Sequence, residues 1–225
     1  MEPLARLTDD QRAGVLALAS AAADVDGTPP LNEAATLSLT RDDATHWLVA
    51  GDGGTFAYAQ WQAEHGTGQL VVHPEHRRRG HGTALLHALA GVASRPAVWA
   101  FGDLPAARAF ASASGLVAVR SLLVMDRALG APRAPTPPPG TRLRPFTAAD
   151  ADAFLALNAA AFAGHPEQGR FSREDLDARR AEPWFAEAGL LLAEDADGLA
   201  GFHWTKRHDA TTGEVYVLGV HPRAA

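Results

Sequence analysis

Cysteine is absent from all 225 residues, and only two methionines and two tyrosines occur. The first absence excludes a disulfide framework, a thiolate zinc site, an iron–sulfur cluster and a cysteine nucleophile. Basic charge is also in deficit, with 20 Lys and Arg against 26 Asp and Glu for a net charge of -6. That balance argues against a broad basic surface for nucleic acid or anionic lipid, so any anion site has to be local. No stretch approaches the roughly 18 uncharged apolar residues of a membrane span. The opening MEPLARLTDDQRAG lacks the basic segment and apolar core of a secretory leader. The expectation is a cytoplasmic protein, monomeric, with neither membrane nor nucleic acid as partner. His165 and His203 have no carboxylate or histidine partners at ligand spacing, so no metal is expected.

What is present is an ordinary globular balance, 47% apolar and 20% charged. The clearest break is the proline-rich run Ala131–Gly140, which forbids helix interior and sheet ladder and favours a stiff connector. It divides the chain into a domain over 1–130, a linker over 131–141 and a second domain over 142–225. Both domains open alike: Leu4–Leu7 and Leu143–Phe146 read as short strands, followed by Thr8 or Thr147 as helix cap with acids in the first turn. A second echo sets Val72-His73-Pro74 against Val220-His221-Pro222, an offset of 148 residues. A repeat of that length implies tandem domains rather than a solenoid.

In the first domain the pattern predicts strands near 46–50, 55–61, 68–72, 97–101 and 117–125, with helices near 80–93 and 105–114. The second repeats the order with a helix near 173–181 and strands near 189–193, 199–205 and 214–220. The expected class is α/β, a mixed sheet flanked by helices. From Pro74 the first domain continues for 52 residues to Asp126, whereas three residues follow Pro222. By this internal ruler the second domain is expected to lack about 50 residues after its fourth strand.

The segment LVVHPEHRRRGHGT places an apolar strand and a basic glycine turn directly before an amphipathic helix. Backbone N–H groups at such a helix start, with the positive end of the macrodipole behind them, attract anions. The turn is no Walker loop, since it lacks the lysine and hydroxyl after the glycine, and it does not match the dinucleotide fingerprint. Its V-x-P-x-x-R-x-x-G-x-G spacing resembles the coenzyme A pyrophosphate loop of the GNAT acyltransferase superfamily, with Arg77, Gly80 and Gly82 at the fixed positions. The resemblance implies that Leu70, Val71 and Val72 bond the pantetheine arm of acetyl-CoA, while Arg77, Arg78, Arg79, Gly80, His81, Gly82 and Thr83 surround its phosphates. In the second domain Leu218, Gly219 and Val220 would take the strand role.

Acetyl transfer to an amine needs a base for the ammonium proton and an acid for the leaving thiolate. By the 148-residue offset, Glu214 faces Gly66, so a carboxylate base exists only in the second domain. The superfamily's acid tyrosine, four residues before Gly115, is replaced by Ala111. The first domain is therefore expected to hold cofactor without catalysing transfer. Strand alternation puts Glu214, Tyr216 and Leu218 on one face, with the carboxylate partly buried.

Three separated segments, Asn158–Gly169, Gly201–Lys206 and Gly213–Pro222, together resemble the tandem-GNAT mycothiol synthase family. That family acetylates the cysteinyl amine of Cys-GlcN-Ins from acetyl-CoA in the last step of mycothiol formation. The resemblance implies substrate contacts at Glu33, Glu167, Lys206 and Glu214, with Glu214 as general base, and a second domain shortened enough to impair turnover. Carboxylates suit a cationic, hydroxyl-rich acceptor. Two alternatives stand beside this reading: a GNAT enzyme for another small amine, and an acetyl-CoA-binding module without transfer.

Overall fold

A computed structural model describes residues 1–131, 133–164 and 171–224. Glu167 and His165, singled out above, lie outside the described residues. The chain divides into two compact units, Met1–Val124 and Met125–Ala225. Among the described residues no helix is long and apolar enough to cross a membrane.

In the first unit α1 (Asp9–Asp26) starts at a reciprocal capping box, in which the Thr8 side chain accepts from the Gln11 N–H and Gln11 from the Thr8 N–H. It ends at Gly27, whose φ of 71° is the left-handed conformation a side chain disfavours. After α2 (Glu33–Leu37) come β1 (Thr45–Gly51), β2 (Gly54–Gln62), β3 (Thr67–Val72), α3 (His81–Val92), β4 (Ala97–Val98) and α4 (Pro105–Ala113). The sheet runs β1-β2-β3-β4, antiparallel except for the parallel β3–β4 pair. Period-two alternation gives the sheet two apolar faces. Tyr58 and Val71 face Val15, Leu18 and Ala22 of α1, while Trp47, Ala57 and Trp61 face Leu85 and Leu89 of α3. The opening strand is shorter than expected, since Leu4 makes a single bridge to His46.

The strand expected over 117–125 does not form. Residues 117–125 pair with no strand among the described residues, and Val117, Val119, Leu123 and Val124 are each at least 79% exposed. The expected strand over 97–101 contracts to Ala97–Val98. β-propensity makes a segment willing to pair, but a strand exists only where a neighbouring edge accepts its ladder. Here β4 offers two residues.

The second unit contains β5 (Arg142–Pro145), α5 (Ala151–Ala161), α6 (Arg173–Arg180), β6 (Leu190–Asp195), β7 (Gly198–Arg207) and β8 (Gly213–Val220), in an antiparallel sheet of order β5-β6-β7-β8. Its core is aromatic: Phe146, Phe154, Leu176, Leu190, Phe202 and Trp204 are at most 3% exposed. Arg144 ties the entry together through both carboxylate oxygens of Asp150, at 2.8 Å each, and Glu194 at 2.9 Å.

The duplication is visible in register. Ala57 pairs with Val72 as Gly201 pairs with Val220, and β2 and β7 carry the same bulge, with Phe56 extra opposite Val49/Ala50 and Ala200 extra opposite Ala193/Glu194. One irregularity is confined to the second unit: the β7–β8 register shifts at Trp204/Thr205, so that Tyr216 is an extra residue in β8.

A polar network replaces core in the first unit. His46 Nδ1 lies 2.7 Å from the Tyr58 hydroxyl, which donates to Gln60 Oε1 at 2.8 Å, and all three residues are fully buried. With its one proton given to Gln60, the hydroxyl accepts from His46, and His46 Nε2 is left buried without a partner among the described residues. Burial pushes the His46 pKa below its usual 6.5, partly countered by the Asp43 carboxylate. The unfolded chain therefore takes the proton first. The contribution of neutral His46 is whole above the usual value and is lost as pH falls below it. Urea unfolding of the first unit is expected to shift to lower denaturant on acidification through this range, and His46→Gln is expected to flatten the slope. An unchanged slope in the variant refutes the assignment.

Candidate functional site

In the first unit, β3 ends at Val72 and a 3-10 turn over Pro74–His76 leads to Arg77, after which Arg78 (φ 63°) and Gly80 (φ 86°) bring the chain into α3. No side chain among the described residues caps the helix start. Its first N–H groups, from His81, Gly82 and Thr83, have no carbonyl one turn back and point outward. Arg78, Arg79 and Gly80 are exposed beside them. A Cβ built on Gly80 meets nothing within 4 Å, so the turn opens to solvent.

Arg77 is placed differently from the expectation. Its guanidinium forms two bonds to Asp26, at 2.8 and 2.6 Å, and donates to the Val72 carbonyl at 3.1 Å. It anchors the turn to the end of α1, which leaves Arg78 and Arg79 as the exposed charges. Gly82 also has a packing reason, because a Cβ there meets the Phe110 ring of α4 at 3.2 Å. Phe56 stacks on His76 at 4.6 Å and meets His81 edge-on at 5.0 Å, which holds both ends of the turn.

The β3–β4 ladder pairs only Thr67 and Gly68 with Ala97 and Val98, extended by the Trp99 N–H to the Gly68 carbonyl at 3.1 Å. Beyond it the two strands no longer pair, and Leu70, Val71 and Val72 border the opening. Such an edge can accept an extended, amide-bearing chain by main-chain hydrogen bonds.

In the second unit the bulge decides which side chains meet. Lys206 pairs directly with Glu214 across β7 and β8, which sets both on one face. Glu214 and Tyr216 share that face, but the extra residue turns Val217 inward as well and sends Leu218 outward, 58% exposed. The expectation that Leu218 shares the face of Glu214 is thus corrected. The bulge also moves the internal match: Gln62 pairs with Thr67 in the first unit where Lys206 pairs with Glu214, so Thr67 rather than Gly66 occupies the place of Glu214. Neither is a carboxylate.

Glu214 is more open than a buried base, with half its side chain exposed and Oε2 2.8 Å from His208 Nε2. The hairpin beside it is preorganised. Asp209 accepts from the Thr211 N–H and hydroxyl and from the Thr212 N–H, donors that draw its pKa down to about 2. Lys206 Nζ lies 4.7 Å from the Trp184 ring centre and 5.5 Å from that of Tyr216. The Tyr216 hydroxyl in turn accepts from Arg179 Nε at 2.7 Å. Gly219 must be glycine, since a Cβ there falls 2.5 Å from the Phe202 ring, and it pairs with Phe202 next to Val220 opposite Gly201.

Glu33 is the first residue of α2, behind the Asn32 cap, whose Oδ1 accepts from the Ala35 N–H at 2.8 Å and whose N–H donates to Gln69. It belongs to the first unit, and Lys206 and Glu214 to the second. Among the described residues no group of three His, Asp or Glu side chains could hold a metal.

Sequence reasoning missed Trp184, Arg179 and His208. One signal was available: Lys206 is the single lysine in the chain, the other 19 of its 20 basic residues being arginine.

Residues 42–112 match the acetyltransferase (GNAT) domain family. The mycothiol acetyltransferase of Thermomonospora curvata is 50% identical over 226 residues, covering 97% of this chain and 76% of that protein. That of Clavibacter sepedonicus is 50% identical over 223 residues, covering 94% of this chain and 73% of its own length. Among solved structures, a tandem GNAT protein from the clavulanic acid biosynthesis pathway superposes with a TM-score of 0.65 at 23% identity, over 98% of this chain and 78% of that one. A GCN5-related N-acetyltransferase from Sphaerobacter thermophilus gives 0.58 at 21% identity over 98% and 76%. At those identities the two structures speak for the fold.

Proposed function

The chain belongs to the mycothiol acetyltransferase family, and from that premise we propose how its residues divide the acetylation of the cysteinyl amine of Cys-GlcN-Ins. The identity of about one residue in two with curated family members, over nearly all of this chain, is the observation that carries the reading. Acetyl-CoA supplies the acetyl group.

The first unit is the cofactor-holding one. Its open helix start, with Arg78 and Arg79 beside three outward N–H groups, fits a pyrophosphate, and the open β3–β4 edge fits an amide-bearing arm. It lacks proton-handling groups at the matching positions, with Thr67 opposite Gln62 and Ala111 on α4. The second unit takes the acceptor, with Leu218, Gly219 and Val220 of β8 in the strand role beside the reacting thioester. Glu214 removes a proton from the acceptor ammonium; the freed nitrogen lone pair attacks the thioester carbonyl of acetyl-CoA, the C–N bond forms as the C–S bond breaks, and coenzyme A leaves as a thiolate that takes up a proton from water. Lys206, opposite Glu214, donates to acceptor hydroxyls, and Glu167, of the same unit, adds a further acceptor contact. Half-exposure of Glu214 is consistent with a base that meets an incoming substrate.

Calorimetric titration of acetyl-CoA into the chain tests the first assignment. About one equivalent is expected to bind, and Arg78→Ala/Arg79→Ala is expected to weaken it roughly tenfold by removing two charge-assisted contacts. Gly80→Val, which forces a branched side chain to φ 86°, is expected to weaken it further. A folded chain that binds no acetyl-CoA refutes the first-unit site. Acetylation of Cys-GlcN-Ins, but not of a simple aliphatic polyamine, is expected where turnover is followed by product mass. The reverse preference favours the other-amine reading.

A further inference from the structure

We infer that Trp184 and Tyr216 are positioning residues that hold the Lys206 ammonium at the acceptor side of the second unit. The inference rests on the reading of Lys206 as an acceptor contact. Three observations carry it.

The Lys206 Nζ lies over two ring faces at once, at 4.7 and 5.5 Å, and the rings themselves are 5.0 Å apart. A cation over an aromatic face is attracted by the ring quadrupole, most strongly by tryptophan. The Trp184 ring is placed by its faces, because its indole N–H is buried and has no hydrogen-bond partner among the described residues. It packs instead against Trp204 at 6.0 Å, Tyr216 and the lysine. Tyr216 reaches the same space only through the β8 bulge, and Arg179 fixes its hydroxyl at 2.7 Å.

The residue held is the single lysine of a chain that otherwise uses arginine. Lysine is a compact point charge on a flexible stem, whereas arginine is a broad planar fork. A flexible lysine opposite Glu214 could fold back onto that carboxylate. The two rings attract the ammonium and reduce the freedom it loses when an acceptor hydroxyl arrives.

Because Lys206 is the single lysine, reductive methylation with 13C-formaldehyde tags it and the amino terminus and keeps both charged. The Lys206 methyl resonance is expected to be shielded by ring currents relative to the amino-terminal one. Shielding is expected to fall in Trp184→Leu, where only the Tyr216 ring remains, and to survive in Trp184→Phe. On unmodified protein, calorimetric affinity for Cys-GlcN-Ins is expected to fall about tenfold in W184L and recover in W184F. Added to Lys206→Met, W184L is expected to cost nothing further. If W184L does not unfold cooperatively, Trp184→Met takes its place. An unshielded Lys206 overturns the inference, as does a W184L effect that is as large in the K206M protein as in the wild type. Shielding together with undiminished acceptor binding by K206M overturns instead the acceptor role of Lys206, and the positioning role with it.

Discussion

Glu214→Gln is expected to slow acetyl transfer to the cysteinyl amine by about a hundredfold or more, the range seen when a positioned general base is removed. The substitution keeps shape and hydrogen-bonding reach and removes only the ability to accept a proton. The amide that replaces the carboxylate can still meet His208, which lies 2.8 Å from Glu214 Oε2, so the hairpin is expected to stay in place. Acetyl-CoA binding belongs to the first unit in the proposed division and is expected to be unchanged. Raising the pH separates this account from a purely structural one. A larger fraction of the amine is then deprotonated in solution and has less need of the carboxylate, so the deficit of the variant is expected to narrow. A rate equal to that of the wild type at neutral pH removes Glu214 from the role of base.

The second large effect is on stability. Trp204 is 1% exposed and forms the hub of the second unit, with ring centres of Phe154, Phe171, Trp184, Phe185 and Tyr216 between 5.2 and 6.3 Å away. Trp204→Ala is expected to cost about 3–5 kcal/mol, the transfer term plus an incompletely collapsed cavity. Against the roughly 5–15 kcal/mol of a typical domain, that is enough to leave the unit marginal. The indole N–H is buried without a partner among the described residues, so Trp204→Phe gives up volume but no hydrogen bond and is expected to cost much less. Urea unfolding followed by near-ultraviolet circular dichroism reads both variants. Equal losses for the two would show that a single phenyl ring cannot stand in for the indole at the hub, contrary to this expectation.

Legibility differed from element to element, for physical reasons. Both helix starts were legible because a cap is a local exchange of hydrogen bonds between residues three apart, Thr8 with Gln11 and Thr147 with Asp150. The Leu70–Gly82 turn was legible because its chemistry lies in one contiguous stretch. Arg77 shows where locality ends. Its sequence position matches a phosphate loop, yet its partner is Asp26, 51 residues away, and no spacing rule reports that. The segment 117–125 has the composition of a strand, and composition cannot supply the edge it needs.

The acceptor side shows the same division most clearly. Sequence by itself determined that there are two related units, that a basic glycine turn precedes a helix in the first, and that a carboxylate stands at 214 with no counterpart in the repeat. Those are statements about residue type and order along the chain. Tertiary structure alone decided that one extra residue at Tyr216 breaks the alternation of β8, setting Glu214 opposite Lys206 and turning Leu218 away. It also decided that Trp184, from a segment with no signal of its own, lies against the lysine. A bulge is a choice between two registers of nearly equal local energy, and packing of Trp204, Tyr216 and Val217 against the helices selects one of them.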